Sequence, residues 1–141
     1  MEPAEWVGYP GTRAMSPAGA MISLMDEVMS VLRQEFDAEE GSFLLRLRGD
    51  LEWDRTAFTR LERAMRAACQ HFQGDQKLDR WVAEGFYEVA TWVPSWTSHA
   101  NFPRPVPDSY YEDCIERLGD LADWFFRGWP NYSEGSSWTD L

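Results

Sequence analysis

Lysine, histidine and cysteine are all scarce in this chain of 141 residues. Lys77 is the single lysine, and 24 acidic residues outnumber 13 basic ones to give a net charge of −11. Binding to nucleic-acid phosphates requires a basic surface, so the composition argues against a nucleic-acid partner. The strong preference for arginine over lysine, with abundant alanine and glycine, is typical of a GC-rich bacterial genome.

The small number of cysteines and the shortness of the apolar runs argue against disulfides and membrane spans. Cys69 and Cys114, the two cysteines, fall on the apolar sides of predicted helices, where reduced cysteine packs as a small hydrophobic residue. The longest apolar runs, such as 43–45, are far too short to cross a bilayer, and the acidic start Met1–Glu5 lacks the basic region of a secretory leader. We therefore expect a cytoplasmic protein that does not bind membranes.

No motif in the sequence assigns a reaction. The two histidines have no companion motif, and the chain contains no Glu-x-x-His pair, no glycine-rich phosphate loop and no Gly-x-Ser-x-Gly turn. We therefore predict no catalytic residues, no metal site and no cofactor. Acid-base catalysis by carboxylates beside a pocket stays open as an alternative, with Glu84, Glu88 and Asp113 as candidates.

Helical periodicity dominates what is present. Four segments carry apolar residues at intervals of three and four. These segments are 17–36, 55–73, 75–93 and 108–127. Residues 43–48 are interpreted as an additional short helix. The pattern predicts an all-α fold, an antiparallel four-helix bundle-like single domain over 1–141, with irregular segments at 1–15 and 129–141.

Residues at the ends of these segments predict where the helices begin and end. Ser16 and Pro17 form a typical helix start, and Asp54 is placed to cap the second helix, which Gly74 ends. Pro94 is expected to end the third helix near residue 93, because proline disfavours the helical conformation of the residue before it.

Two more features make local predictions. Gly85 lies in the middle of the third helix, where glycine costs about 1 kcal/mol relative to alanine, so we expect a backbone or a bulky ring to approach it closely. Ser109 and Glu112 have the spacing of a capping box at the start of the last long helix.

A proline- and aromatic-rich loop, within residues 91–107, connects the third helix to the last one. Its prolines favour an extended, semi-rigid backbone, which holds side chains in place. The side chains predicted to shape a pocket or a loop patch are Trp92, Trp96, His99, Asn101 and Phe102. In the alternative interpretation, Trp96 and Phe102 turn inward and close one end of the bundle.

The outer face of the last helix is strongly acidic. Five carboxylates recur at intervals of three and four and are the predicted partner-binding residues. They are Glu112, Asp113, Glu116, Asp120 and Asp123. Arg117 and Arg127 are each placed to offset one neighbour. The remaining repulsion favours a docking face, and the alternatives are a solvated face or internal pairing with the arginines of the second long helix.

These observations predict a small acidic protein that binds a basic protein partner. Charge complementarity gives such a protein fast association and specificity, as in an immunity protein or antitoxin-like inhibitor that masks a basic surface. The alternative is a small-molecule-binding helical bundle with a Trp-lined pocket, since the chain contains eight tryptophans. The third interpretation is an enzyme that uses pocket carboxylates.

Overall fold

A computed structural model describes residues 17–130 and 138–141 of the chain. The described residues form five α-helices and no β-strand, so the all-α prediction is confirmed. In chain order they are α1 (Pro17–Phe36), α2 (Phe43–Gly49), α3 (Arg55–Phe72), α4 (Arg80–Thr97) and α5 (Asp108–Arg127). The predicted cap Ser16 and the predicted irregular segment 1–15 lie outside the described residues.

The four long helices share one apolar core. α1 packs against α3, and α5 packs against both α3 and α4, while the short α2 touches α1 and α3. Each long helix contributes fully buried side chains, among them Leu32, Phe58, Phe86 and Leu118. This packing is compatible with the predicted helical bundle. None of the helices in the described ranges is both long and apolar enough to span a bilayer.

The predicted signals at both ends of α3 are confirmed. Asp54 lies at the N-cap, where its carboxylate accepts a hydrogen bond from the N–H of Ala57 at 3.1 Å. At the other end Gly74 has a φ of +80°, a conformation that glycine adopts without strain. Its N–H donates to the carbonyl of Gly128 at 3.0 Å, so the end of α3 is fastened to the end of α5.

The predicted short helix is confirmed as α2, and a buried carboxylate stabilises its first turn. The hydroxyl of Ser42 accepts a hydrogen bond from the N–H of Leu45 at 3.2 Å. Glu35, which is buried at the end of α1, accepts from the N–H of Phe43 at 2.9 Å and from Arg60 Nε at 2.9 Å. These bonds satisfy donors that a free helix end leaves without partners.

The predicted boundaries of α4 are wrong at both ends. The helix begins at Arg80 rather than near 75, because the chain first has to leave the α3–α5 contact at Gly74. It also continues through Pro94 to Thr97. Contacts beyond the proline hold the last turn, since the Thr97 hydroxyl lies 2.7 Å from the hydroxyl of Tyr111 and the indole N–H of Trp96 donates to the carbonyl of Leu47 at 3.0 Å.

The close approach predicted at Gly85 is confirmed. A methyl group built on this residue would overlap the ring of Phe36, which crosses from α1. Two other rings flank it, because it packs edge-to-face against Trp81 and Phe86 with centroids 6.4 and 5.9 Å away. Glycine is therefore required here by the contact between α1 and α4.

The start of α5 is predicted correctly, but its cap is not. The helix begins at Asp108, and Pro107 occupies the N-cap without any side-chain capping bond. The carbonyl of Pro107 accepts from the N–H of Tyr110 at 3.0 Å. Since the N-cap falls two residues before Ser109, the spacing of Ser109 and Glu112 no longer joins the cap to the third helical residue, and no capping box forms.

Candidate functional site

The predicted partner-binding carboxylates lie on the outer face of α5. Glu112, Asp113 and Glu116 are exposed, and Asp120 and Asp123 are half-buried. The opposite side of the helix packs against α3 and α4. We refer to these five side chains as the α5 acidic row.

Arg127 forms an ion pair with the row, and Arg117 turns away from it. Arg127 binds Asp123 one turn earlier, as its spacing predicts. Arg117 is only 7% exposed and points into the protein, where it donates to Glu62 at 3.0 Å and to the carbonyl of Thr139 at 2.7 Å. The predicted pairing within the row is therefore confirmed for Arg127, whereas Arg117 forms its ion pair with Glu62 instead.

The arginines of α3 also bind elsewhere. Within 17–130 and 138–141, none of them forms an ion pair with the α5 acidic row, so internal pairing with this helix does not occur there. Their partners are the Tyr110 ring for Arg55, Glu35 for Arg60, Asp140 for Arg63, and Glu62 with Asp140 for Arg66.

Repulsion within the row is visible at Asp120. Partial burial raises the pKa of Asp120 above its ordinary value, and the charge of Glu116 raises it further. Arg117 lowers the pKa of Asp120, but its effect does not outweigh the other two. Ionised Asp120 is therefore held at a cost in free energy, which a cation from outside the protein would relieve.

The predicted pocket or loop patch lies at the end of α4. Trp96, His99, Asn101 and Phe102 line one concavity of about 220 Å³ together with Leu51. The prediction that Trp96 belongs to a loop is wrong, because it lies in the last turn of α4. The loop proper covers 98–107.

The two side chains in the alternative interpretation behave differently. Phe102 is buried in the core, as expected of a structural contact. Trp96 keeps 36% of its surface exposed while its indole N–H binds the carbonyl of Leu47. His99 accepts a hydrogen bond from the N–H of Asn101 at 3.2 Å, which stabilises the turn after α4. The patch is therefore an apolar surface held by backbone contacts.

Trp92 lies on α4, within the range predicted for that helix. Its ring stacks on that of Trp96, with centroids 5.4 Å apart and 16° between the planes. Trp92 faces a second concavity of about 330 Å³, which combines apolar walls with the charged groups of Arg48 and Glu88. The stacked pair therefore separates two neighbouring concavities along α4.

Reactive groups are either buried or dispersed. Burial raises the pKa of the Cys69 thiol far above its ordinary value and that of Cys114 to about 11, so both thiols stay protonated. Both are buried and unpaired, as the sequence predicts. The candidate acid-base residues Glu84, Glu88 and Asp113 are exposed. No group of three or more His, Cys, Asp or Glu side chains in the described part of the chain is placed to hold a metal ion.

A buried ionic cluster was missed by the sequence analysis. Glu62 is 1% exposed and binds two arginines, Arg66 at 2.7 Å and Arg117 at 3.0 Å. The periodicity of α3 does contain the signal, because Glu62 falls between Phe58 and Met65 on the buried side of the helix. Its partner on α5 is 55 residues away and has no signal in the sequence.

The same arginines hold residues 138–141, which form neither helix nor strand. Arg66 donates to the carbonyl of Trp138 at 2.9 Å, and Arg117 donates to that of Thr139.

Comparison with known proteins gives no further guide to function, since no family model, no curated protein and no solved structure matches the chain.

Proposed function

We propose that this protein binds a basic protein through the α5 acidic row. The observation that supports this proposal is the orientation of Arg117, which turns inward to Glu62 and forms no ion pair with Asp113, the carboxylate one helical turn before it. A solvated helix face gains nothing from such an arrangement, because like charges one turn apart repel. A basic partner would supply the missing charge.

The proposed role is that of an immunity protein or antitoxin-like inhibitor. With a net charge of −11, the protein attracts a basic protein over distances longer than a contact, which raises the association rate. The exposed carboxylates then fix the orientation of the complex. Such a protein acts by covering a basic surface of its partner.

The test begins with copurification of a tagged protein from its native source, followed by mass spectrometry. A stoichiometric basic partner is expected, and the association rate is then measured against salt concentration. Changing Glu112 and Glu116 to Gln and Asp120 to Asn should slow association several-fold at low salt. The difference should shrink as salt rises, because exposed charges are screened over about 8 Å at physiological ionic strength.

A matched variant separates the row from net charge alone. Glu27, Glu39 and Glu40 are exposed carboxylates outside α5, and changing them to Gln also brings the net charge from −11 to −8. The proposal requires the α5 variant to associate more slowly than this control. Equal rates for the two variants would assign the effect to overall charge and exclude the row as the interface.

A second candidate function is small-molecule binding beside Trp92. The supporting observation is the concavity of about 330 Å³, which has a size found among ligand sites and carries Arg48 and Glu88 in its apolar wall. Native mass spectrometry of the purified protein would detect a retained metabolite. Loss of that species in a Trp92→Ala variant that still folds would support this function, and its retention would contradict it.

A further inference from the structure

Residues 138–141 are bound in the way that a protein binds an extended peptide. Two of their backbone carbonyls accept from arginines, and the carbonyl of Leu141 accepts from the hydroxyl of Thr59 at 3.0 Å. These contacts are made to backbone atoms, so a segment with other side chains at these positions would form them too. Thr59, Arg66 and Arg117 make these contacts, and together with Arg63, which binds the Asp140 side chain, they form a surface that we call the α3–α5 groove.

Side chains add chemical selectivity at two of the four positions. The Trp138 ring packs on Trp124 with centroids 5.2 Å apart and lies 5.1 Å from the guanidinium of Arg117. The Asp140 carboxylate pairs with Arg63 and Arg66, both at 3.0 Å. The exposed Thr139 side chain leaves its position open to many residues. The groove therefore fits an aromatic residue followed, two positions later, by an acid.

The groove is held in shape by a group that does not belong to the bound segment. Glu62 accepts two bonds from Arg66, at 2.7 and 3.0 Å, and one from Arg117 at 3.0 Å. Glu62 is buried and binds both guanidinium groups, and their remaining donors point at the segment. Such preorganised donors lower the entropic cost of binding a peptide.

We propose that the α3–α5 groove is a recognition site for an acidic, extended segment of a separate protein, and that residues 138–141 occupy it from within the same chain. The incoming segment carries an aromatic residue and an acid two positions later. The groove lies in a basic region of an otherwise acidic protein, so its partner is distinct from the basic protein proposed for α5.

The groove offers more contacts than residues 138–141 use. A concavity of about 250 Å³ adjoins Asp140 and is lined by Arg63, Arg66, Ala67 and Gln70. A segment with a second acidic side chain reaching this space would gain contacts that the internal segment lacks. A second copy of this chain would bring identical contacts, and it would still lose freedom on association. A separate protein is therefore the favoured source.

The test uses the full chain and a fluorescent peptide of sequence Ser-Ser-Trp-Thr-Asp-Leu, blocked at both ends. In a Trp138→Ala, Asp140→Asn variant the internal segment is weakened, and the peptide should bind at least about tenfold more tightly than to the unchanged protein. The difference arises because an attached competitor acts at a high effective concentration. Circular dichroism checks that the variant is folded.

A double-mutant cycle asks whether the peptide uses the predicted contact. Arg63 is exposed and its side chain pairs with Asp140, so Arg63→Gln should leave the fold intact. In the weakened variant this change should reduce affinity for the Asp-containing peptide several-fold and leave affinity for an Asn-containing peptide unchanged. A peptide that binds equally well with Asp and Asn, or does not bind the folded variant, would overturn the proposal.

Two further measurements keep the test decisive. If the double variant does not fold, Asp140→Asn alone replaces it, because this carboxylate is exposed and its loss leaves the core unchanged. Light scattering over a range of concentrations tests the source of the segment. A dimer of the unchanged chain that Asp140→Asn dissociates would overturn the separate protein as partner and assign a second copy in its place.

Discussion

Replacing Glu62 with Gln should destabilise the protein strongly, although the two side chains have nearly the same shape and only one carboxylate oxygen becomes an NH₂ group. The carboxylate is 1% exposed and is the shared partner of Arg66 and Arg117. An amide in its place turns an N–H₂ group toward guanidinium donors and leaves the buried Arg117 without a counter-charge. Breaking a buried ion pair from one side costs about 3–5 kcal/mol.

The lower end of that range is expected here. Arg66 keeps a second carboxylate, Asp140, so one of the two arginines stays partly compensated. We expect a loss of about 3 kcal/mol in the free energy of unfolding, which for a chain of this length lowers the melting temperature by about 10 °C. Urea unfolding followed by circular dichroism measures the first quantity, and thermal unfolding measures the second.

Asp140→Asn is the matched control, because it removes a negative charge from the same Arg66 on the solvent side. Its side chain is exposed, so water screens the pair and a much smaller change is expected. If Glu62→Gln costs no more than the Asp140 variant, or less than about 1 kcal/mol, then the buried cluster does not stabilise the fold in the way argued here.

Three other predictions concern packing and pH. Gly85→Ala should destabilise by about 1–3 kcal/mol despite the better helix propensity of alanine, because the new methyl overlaps the Phe36 ring; a more stable variant in urea unfolding would contradict this. Leu118→Ala should cost about 2–5 kcal/mol by the same assay, since its side chain is fully buried, and a loss below about half a kcal/mol would show that it is not. Burial raises the pKa of Cys114 to about 11 from 9.0 and that of Tyr110 to about 12 from 10.0, so the unfolded chain ionises first as pH rises. Stability should therefore be fully present below pH 9.0 and fall as pH rises toward 11 and 12, and Cys114→Ala should remove part of that fall.

Features of the fold that depend on neighbouring residues were predictable from the sequence. Asp54 caps α3 because its carboxylate accepts from the N–H of Ala57 three residues later, and Gly74 ends the helix by its own conformation. The broad apolar stripes of the helices also follow from local pattern. These signals are contained within a few residues, so they can be read without knowing the fold.

Features that depend on distant contacts were not predictable. Pro94 weakens a helix locally, but the turn that follows is held by Leu47 of α2 and Tyr111 of α5. Similarly, Arg117 has the spacing to offset its neighbours on α5, and a buried carboxylate on α3 is its actual partner. In both cases a tertiary contact outweighs a local preference of about 3 kcal/mol or less.

The same distinction between local and distant contacts separates the two candidate binding surfaces. The intervals within the α5 acidic row can be counted in the sequence, and the exposure of Glu112 and Glu116 follows from them. The α3–α5 groove could not be found in this way, because it brings together residues near 62, 117 and 140 that share no pattern.

The stacked indoles of Trp92 and Trp96 also give the protein a built-in optical signal. Two near-parallel rings 5.4 Å apart couple their electronic transitions, so they add a paired band to the far-ultraviolet circular dichroism spectrum. This band overlaps the helical signal and would bias a helix content taken from that spectrum alone. The indoles of Trp124 and Trp138, with centroids 5.2 Å apart, contribute in the same way, so comparison with a Trp92→Ala variant identifies the part of the signal that comes from the end of α4.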